Sequence, residues 1–409
     1  MSFSLNCRSC GNTEAALILD LGLQPLANNL LNKHDLAKPE PKFPLRLAVC
    51  KSCWLLQITD LLPPVELFSE YLYFSSFSEV LLRHAREAAK GYIAEFGLNS
   101  ESMVVEIASN DGYLLQHFVK AEIPCLGIEP AANIAGVARE KGIETLVEFF
   151  GCGPATELAG EGRPADLILG NNVFAHAPDP NDFVAGLKTL LKPAGQIVLE
   201  FPYAMELIEQ VEFDTIYHEH VFYFTLTAMQ PLFARHGLEI FRIERLLIHG
   251  GSLRLFAGHA GAYAVEAAVV KLAAEEKQKG VNSTAYYEQF AAQVLELKCG
   301  LRELLAQLKR AGKTVAAYGA SAKGSTLLNF FGIGGAVLDF VVDRSTYKQG
   351  RFTPGTHLPI VSTDELLRRR PDYTLLLTWN FAGEILGQQK AYRDAGGKFI
   401  IPIPKVEIV

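Results

Sequence analysis

No stretch of eighteen consecutive apolar residues occurs in the chain, so a membrane-crossing helix is not expected. Basic charge is also short. Lysine and arginine number 38 against 45 aspartates and glutamates, a net charge of -7. A general nucleic-acid binder needs a basic face, so that class is set aside, while a local basic pocket is not. The opening residues, MSFSLNCRSC, have neither the charged n-region nor the apolar core of an export signal, and a cytoplasmic location is expected. Tandem repeats and low-complexity segments are missing. What remains is a 409-residue chain, 49% hydrophobic and 20% charged, long enough for two or three soluble domains.

Cysteine is scarce and unevenly placed. Of seven, Cys7, Cys10, Cys50 and Cys53 form two CxxC pairs with 39 residues between them, and Cys125, Cys152 and Cys299 stand alone. In a reducing compartment such pairs point to metal rather than disulfides. Four thiolates satisfy tetrahedral Zn²⁺ and leave no position open for substrate, so the expected zinc is structural. The surrounding residues are rich in proline and poor in helical periodicity, as in LQPLANNLL and KPEPKFPLRLAVCKSCWLLQ. A module of short strands and turns, residues 1–64, is expected, with metal supplying what its small core lacks.

Beyond it, short apolar runs alternate with helical stretches. MVVEIA (103–108), PCLGIEP (124–130), ADLILGNN (165–172) and GQIVLEFP (195–202) read as strands of a parallel, doubly wound sheet. In VVEIASNDGYLL a strand ends at Glu106 and turns through Asn110, Asp111 and Gly112. Glu129, in GIEP before Pro130, follows Glu106 by 23 residues, where an acidic side chain binds a ribose. The fingerprint G-x-G-x-x-G is absent, with Ala108 and Asn110 at the early glycine positions. That suits S-adenosylmethionine (SAM), which has no phosphate. Glu106 or Asp111 would meet its ammonium, and Asn171 and Asn172 fall where the methionine end lies. A SAM domain over residues 65–255 is expected.

Residues 261–312 read as helical and charged, and a second strand–helix series follows, giving another α/β domain over 256–409. TVAAYGASAKGSTLL is a strand, a small-residue turn and a helix start. Gly319, Ala320, Ser321 and Gly324 would let backbone N–H groups approach an anion, with Lys323 adding charge. The Walker spacing is absent. Asp343 ends the next strand, Lys348 and Arg351 follow it, and Trp379 and Asn380 close a later one.

The densest chemistry is IYHEHVFYF, Ile216 to Phe224, where Tyr217, His218, Glu219 and His220 are consecutive. Histidine beside a carboxylate is a natural general acid or base. A metal on His218 and His220 lacks an obvious third ligand. NNVFAHAPD with His176, EYLYFSSFS with Tyr71, Tyr73, Ser75 and Ser76, and HGGSLRLF share this polar character.

Taken in order, the CxxC pairs, EIASNDGYLL, GIEP, NNVFAH, YHEH, GGSLR and YGASAKG resemble the sugar-nucleotide C-methyltransferases that build branched-chain deoxysugars, over essentially the whole chain. The resemblance implies a zinc-binding module, a class I SAM methyltransferase sheet and a C-terminal Rossmann-like domain that binds a nucleotide-sugar. It implies a substrate similar to a TDP-4-keto-6-deoxyhexose, methylated at C3 or C5 beside the ketone. By resemblance His220 is the base, Glu219 and Tyr217 orient it or bind the sugar, and His176 and Tyr71 line the sugar pocket. His218 is structural. Ser321, Lys323 and Gly324 clamp the diphosphate, while Asp343, Lys348, Trp379 and Asn380 serve the rest of the nucleotide sugar. O- or N-methylation of a sugar or small metabolite is the alternative. No nucleic acid or membrane partner is expected.

Overall fold

Apolar residues alternate with polar ones through much of AALILDLGLQ and FPLRLAVC, the pattern of strands with one buried face. They form β1 (Ala15–Gln24) and β2 (Phe43–Cys50), paired antiparallel, with β3 (Leu56–Ile58) beside β2. The computed structural model describes residues 4–63, 67, 74–77, 79–248 and 250–409. Tyr71 and Tyr73 lie outside the described residues. The cysteine module's sheet does not end with its own strands. Its fourth strand is β9 (Phe222–Tyr223), from the far side of the histidine motif, pairing Leu56 with Tyr223 and Gln57 with Phe222.

The middle sheet has seven strands. They are β4 (Val104–Ile107), β5 (Cys125–Ile128), β6 (Thr145–Leu146), β7 (Ala165–Asn171), β8 (Leu191–Pro202), β10 (Leu238–Leu246) and β11 (Ser252–His259), in the order β10-β11-β8-β7-β4-β5-β6. β6, β5, β4, β7 and β8 run parallel, and β11 enters antiparallel against β8. This is the class I SAM methyltransferase sheet. Its strand order reverses between β4 and β7, so their carboxyl ends open a crevice there. The β10–β11 hairpin escaped the sequence pattern because it carries charge. Arg254 pairs with Glu200 at 2.6 Å and with Glu244 at 2.9 Å, so its strands do not read as apolar runs.

The last sheet, in the order β14-β13-β12-β15-β16-β17, comprises β12 (Val315–Tyr318), β13 (Val341–Val342), β14 (Ile360–Val361), β15 (Tyr373–Leu376), β16 (Lys398–Ile401) and β17 (Glu407–Ile408). All pairs are parallel except β16–β17, a second doubly wound sheet with its reversal between β12 and β15. The charged stretch expected as helical forms helices Ala267–Lys279 and Thr284–Arg310. The longer one buries Tyr287, Phe290, Val294, Leu297, Leu301 and Leu305, a spacing of three and four that keeps them on one face. One continuous hydrophobic core runs from the cysteine module through both α/β sheets. Among the described residues no helix is long and apolar enough to cross a membrane.

Candidate functional site

The four paired cysteines converge. Each CxxC turn closes by a backbone bond to its first cysteine, Gly11 N to Cys7 O at 2.8 Å and Trp54 N to Cys50 O at 3.0 Å. Both closing residues have positive φ, 72° and 61°. The sulfurs lie within 4.8 Å of one another, with Cys7–Cys53 at 3.5 Å and Cys10–Cys50 at 3.6 Å. Zn–S bonds of ~2.3 Å at tetrahedral angles put sulfurs about 3.8 Å apart, so the four thiolates fit zinc. Gln57 Nε2 donates to Cys7 Sγ at 3.3 Å. Among the described residues this is the one cluster of three or more potential ligands. His218 and His220 are not a metal pair. They lie in a turn rather than on a strand, and His218 Nε2 donates to Pro44 O at 3.2 Å.

The carboxyl edges of the two α/β sheets and the loop between β1 and β2 enclose one large cavity of about 1880 Å³. On the middle sheet its wall includes Ala108, Asn110, Glu129, Pro130, Asn171 and Asn172. Ala108, Asn110 and Asn172 hold φ of 53°, 50° and 53°, a left-handed conformation that is uncommon outside glycine and clusters at functional sites. The Glu129 carboxylate accepts from Asn110 N at 3.0 Å and Ala131 N at 2.9 Å. Burial still pushes it above the usual carboxylate range. Glu106, Asp111 and Gly112 lie behind this wall. Asp111 is engaged by Lys141 Nζ at 3.2 Å, and the same amine donates to Ser76 Oγ. Gly112 packs against Ile143, leaving no room for a Cβ. Glu106 is fully buried and, among the described residues, has no hydrogen-bond partner on either oxygen. Burial, then the nearby Glu129 and Asp111, hold its carboxyl well above the ordinary range. A buried carboxyl beside two others, only one of which is paired with a cation, fits a fold that receives the ammonium of SAM.

The histidine motif faces the same cavity from a turn. His220 Nδ1 donates to Thr215 O at 2.9 Å. A carbonyl only accepts, so the neutral ring carries its proton on Nδ1 and its lone pair on Nε2. Tyr217 OH lies 2.9 Å from that Nε2. The orienting group is thus a backbone carbonyl rather than Glu219. His176 packs edge-on to His220, with ring centroids 4.9 Å apart. Its Nδ1 donates to Glu219 O at 2.6 Å, and burial lowers its pKa to about 4, so it is neutral near pH 7. The Glu219 side chain turns instead to Asn28 of the cysteine module, whose Nδ2 reaches its two oxygens at 2.8 and 3.0 Å.

On the C-terminal sheet, Ser321, Lys323, Lys348 and Asn380 reach the cavity, together with Arg351. Ser321 caps helix Ala322–Phe331 by accepting from Gly324 N at 3.1 Å. Gly324 permits close helix–strand contact, since a Cβ there would sit 2.8 Å from that of Leu377. Asp343 is set back from the cavity and accepts from Ala320 N and Ser345 N, both at 2.8 Å. Lys348 Nζ donates to Ala320 O at 2.9 Å. Trp379 is likewise turned away. Its Nε1 donates to the buried Asp214 at 2.8 Å, and Lys323 Nζ lies 4.8 Å from its ring centroid. This joins the two α/β units through a buried carboxyl whose pKa burial raises and Lys323 lowers. Trp379→Phe would leave Asp214 without that donor. A loss of about 2 kcal/mol is expected, read as a lower urea midpoint.

Sequence reasoning missed Asn28, Thr215 and Asp214. Asn28 stands 191 positions from Glu219, within a proline-rich stretch that offered no periodicity. Thr215 acts through its carbonyl, which side-chain chemistry cannot flag.

Comparison with known proteins covers all three parts of the chain. Residues 7–68 match a zinc binding domain family, 81–243 a methyltransferase domain family, and 247–404 the C-methyltransferase C-terminal domain family. The chain is 38% identical over 404 residues to the C-methyltransferase NovU of Streptomyces niveus, covering 98% of this chain and 96% of that protein. Among solved structures, the SAM-bound magnesium protoporphyrin IX methyltransferase of Synechocystis PCC 6803 is 14% identical, with a TM-score of 0.35 over 46% of this chain and 86% of that one. The CcbJ methyltransferase of Streptomyces caelestis is 12% identical, with a TM-score of 0.34 over 43% and 90%.

Proposed function

The chain belongs to the SAM-dependent C-methyltransferases, and from that premise we propose that its substrate is a nucleotide-linked 4-keto-6-deoxysugar, methylated at a carbon beside the ketone. The observation that carries this reading is the His220–Tyr217 pair, fixed as a base by the Thr215 carbonyl on the wall of a cavity shared by both α/β sheets. A C–H bond next to a ketone is acidic enough for a positioned histidine to break, which contributes about 10²–10⁴ in rate.

His220 Nε2 takes the proton from that carbon, and the electron pair moves onto the ketone oxygen. His176 and Tyr71 are assigned to the sugar pocket, where the Tyr71 hydroxyl would donate to that developing charge, while neutral His176, its one N–H spent on Glu219 O, lines the wall beside His220. Tyr217 holds the His220 ring and shares its proton. SAM, when bound, would supply an electrophilic methyl group to that carbon, with S-adenosylhomocysteine as its leaving group. Asn110, Glu129, Pro130, Asn171 and Asn172 would hold SAM at the β4–β7 crevice, with Glu106 as the buried partner of its ammonium. Zinc in the four-cysteine site supplies rigidity only.

The nucleotide is assigned to the C-terminal sheet, with TDP the handle that the sequence resemblance favours. Lys323, Lys348 and Arg351 bring positive charge to that wall, which reconciles an acidic protein with an anionic diphosphate. Arg351→Ala is expected to raise the KM for the nucleotide sugar about tenfold, the worth of one charge-assisted hydrogen bond. SAM affinity and kcat should barely change.

The deciding experiment incubates the protein with a TDP-4-keto-6-deoxyhexose in D₂O, with and without SAM, read by NMR and mass spectrometry. Deuterium beside the ketone without SAM, and a carbon-bound methyl group with it, are expected. Methylation of oxygen or nitrogen instead would sink the reading.

A further inference from the structure

The cysteine module lines the cavity with its β1–β2 loop, and one side chain of that loop, Asn28, bonds to the histidine motif. Asn28 lies in the β1–β2 loop and lines the cavity with Glu219. Its Nδ2 contacts both carboxylate oxygens, at 2.8 and 3.0 Å, which fixes the tilt of the carboxylate plane as well as its position. Among the described residues no other side chain hydrogen-bonds this carboxylate. Glu219 is only 6% exposed. Each carboxylate oxygen has two acceptor sites, so one amide leaves most of that capacity for something within the cavity.

The loop that presents Asn28 is pinned to the C-terminal domain at two points that follow it. Leu31 and Phe352 exchange backbone hydrogen bonds of 3.0 and 2.9 Å across to the C-terminal domain. Further along, Glu40 accepts from Gly355 N at 2.8 Å and from His357 Nε2 at 2.9 Å. Asn28 itself is turned by bonds from Leu30 N to its own carbonyl and from Asn29 N to Leu26 O. A side chain on so well-anchored a loop costs little entropy to hold in place, which suits a positioning role.

We propose that Asn28 is a positioning residue for methyl transfer: it holds the Glu219 carboxylate as a fixed acceptor for a substrate hydroxyl, making the cysteine module a working wall of the sugar pocket. The hydroxyl rests on the keto-sugar reading of the cavity, whereas the Asn28–Glu219 bond does not. Burial pushes Glu219 up to about 7 even with the Asn28 hydrogen bond pulling it down. Other titratable groups face the cavity around it. They are Tyr217 and His220 on its own loop, His176 on the 174–176 turn, and Asp35, Lys38 and Glu40 on the β1–β2 loop. Lys323, Lys348 and Arg351 stand on the C-terminal wall.

The test uses the zinc-loaded full chain with ¹³C-labelled glutamate. Glu219 is assigned by the signal lost in Glu219→Gln. In Asn28→Leu the Glu219 titration midpoint should rise by about one pH unit, the worth of one hydrogen bond to a charged group. An unmoved midpoint overturns the proposal. In the same variant kcat/KM for the nucleotide sugar should fall about tenfold or more with SAM affinity unchanged, and wild-type kinetics would overturn the positioning role. The double variant Asn28→Asp/Glu219→Gln keeps an amide facing a carboxylate at the same net charge. It should recover the thermal midpoint but not kcat/KM. Recovery of both would reduce the pair to a wall fastening and overturn the proposal. A wild-type protein that methylates oxygen or nitrogen fails the keto-sugar reading separately, and the titration still decides whether Asn28 holds Glu219.

Discussion

His220→Asn should bind SAM within about twofold of the wild type yet lose methyl transfer by about 10²–10⁴. Asparagine keeps a polar side chain of similar reach but cannot take a proton near neutral pH. The Thr215 carbonyl bond fixes the Nδ1–H tautomer, so the group lost is one defined lone pair, on Nε2. The loops assigned to SAM, at the ends of β4, β5 and β7, contain no part of this turn, which is why cofactor affinity should survive. Solvent exchange at the carbon beside the ketone should vanish in parallel, because it reports the same proton transfer. Tyr217→Phe should cost less, about tenfold, since the base remains and only its hydrogen-bonded partner at 2.9 Å is removed. Near-normal exchange in a folded His220→Asn protein would dismiss His220 as the base. Normal exchange with failed methylation would assign it to the transfer step instead.

Much of this arrangement was legible in the residues. Apolar runs marked the parallel strands because each is buried on both faces, and VVEI, CLGI and VAAY occupy the positions expected of them. The paired cysteines announced their own cluster, since CxxC spacing forces two sulfurs onto one turn. The charged strands of the β10–β11 hairpin were not legible. Their polarity is balanced by partners such as Glu200, 54 positions away from Arg254.

Within the site, the sequence put the right residue types together but not their partners. Tyr217, Glu219 and His220 do face the cavity, yet only contacts distant in the chain separate their roles. Asn28 takes the Glu219 side chain, while Thr215 takes His220 Nδ1. Asp343 and Trp379 stand just past strands β13 and β15 of the C-terminal sheet, as nucleotide ligands often do. Trp379 spends its polar edge on Asp214, and Asp343 spends its carboxylate on backbone amides. A sequence records that a polar group closes a strand but not which neighbour claims it.

Cys50→Ser should cost both the zinc and part of the active site. Cys50 is completely buried, and its sulfur stands 3.6 Å from that of Cys10. A serine hydroxyl is a poor zinc ligand, and the remaining three sulfurs leave the tetrahedral set incomplete. Structural zinc contributes directly to folding, so a loss of about 3 kcal/mol or more is expected, with metal analysis well below one zinc per chain. The damage should not stop at the module. β3 follows Cys53 directly and pairs with β9, and Ile58 N donates to Val221 O, the residue after His220, at 3.0 Å. Loosening β3 therefore releases the strand that anchors the base turn. Hydrogen exchange should show protection lost first in β1–β3, then across β9, with β4, β5 and β7 still protected and SAM still bound. Methyl transfer should fall in step with zinc content. Cys299→Ser, at an exposed position outside the cluster, is the control and should change neither. A zinc-free Cys50→Ser protein with full activity would show that the base turn stands without the module beneath it.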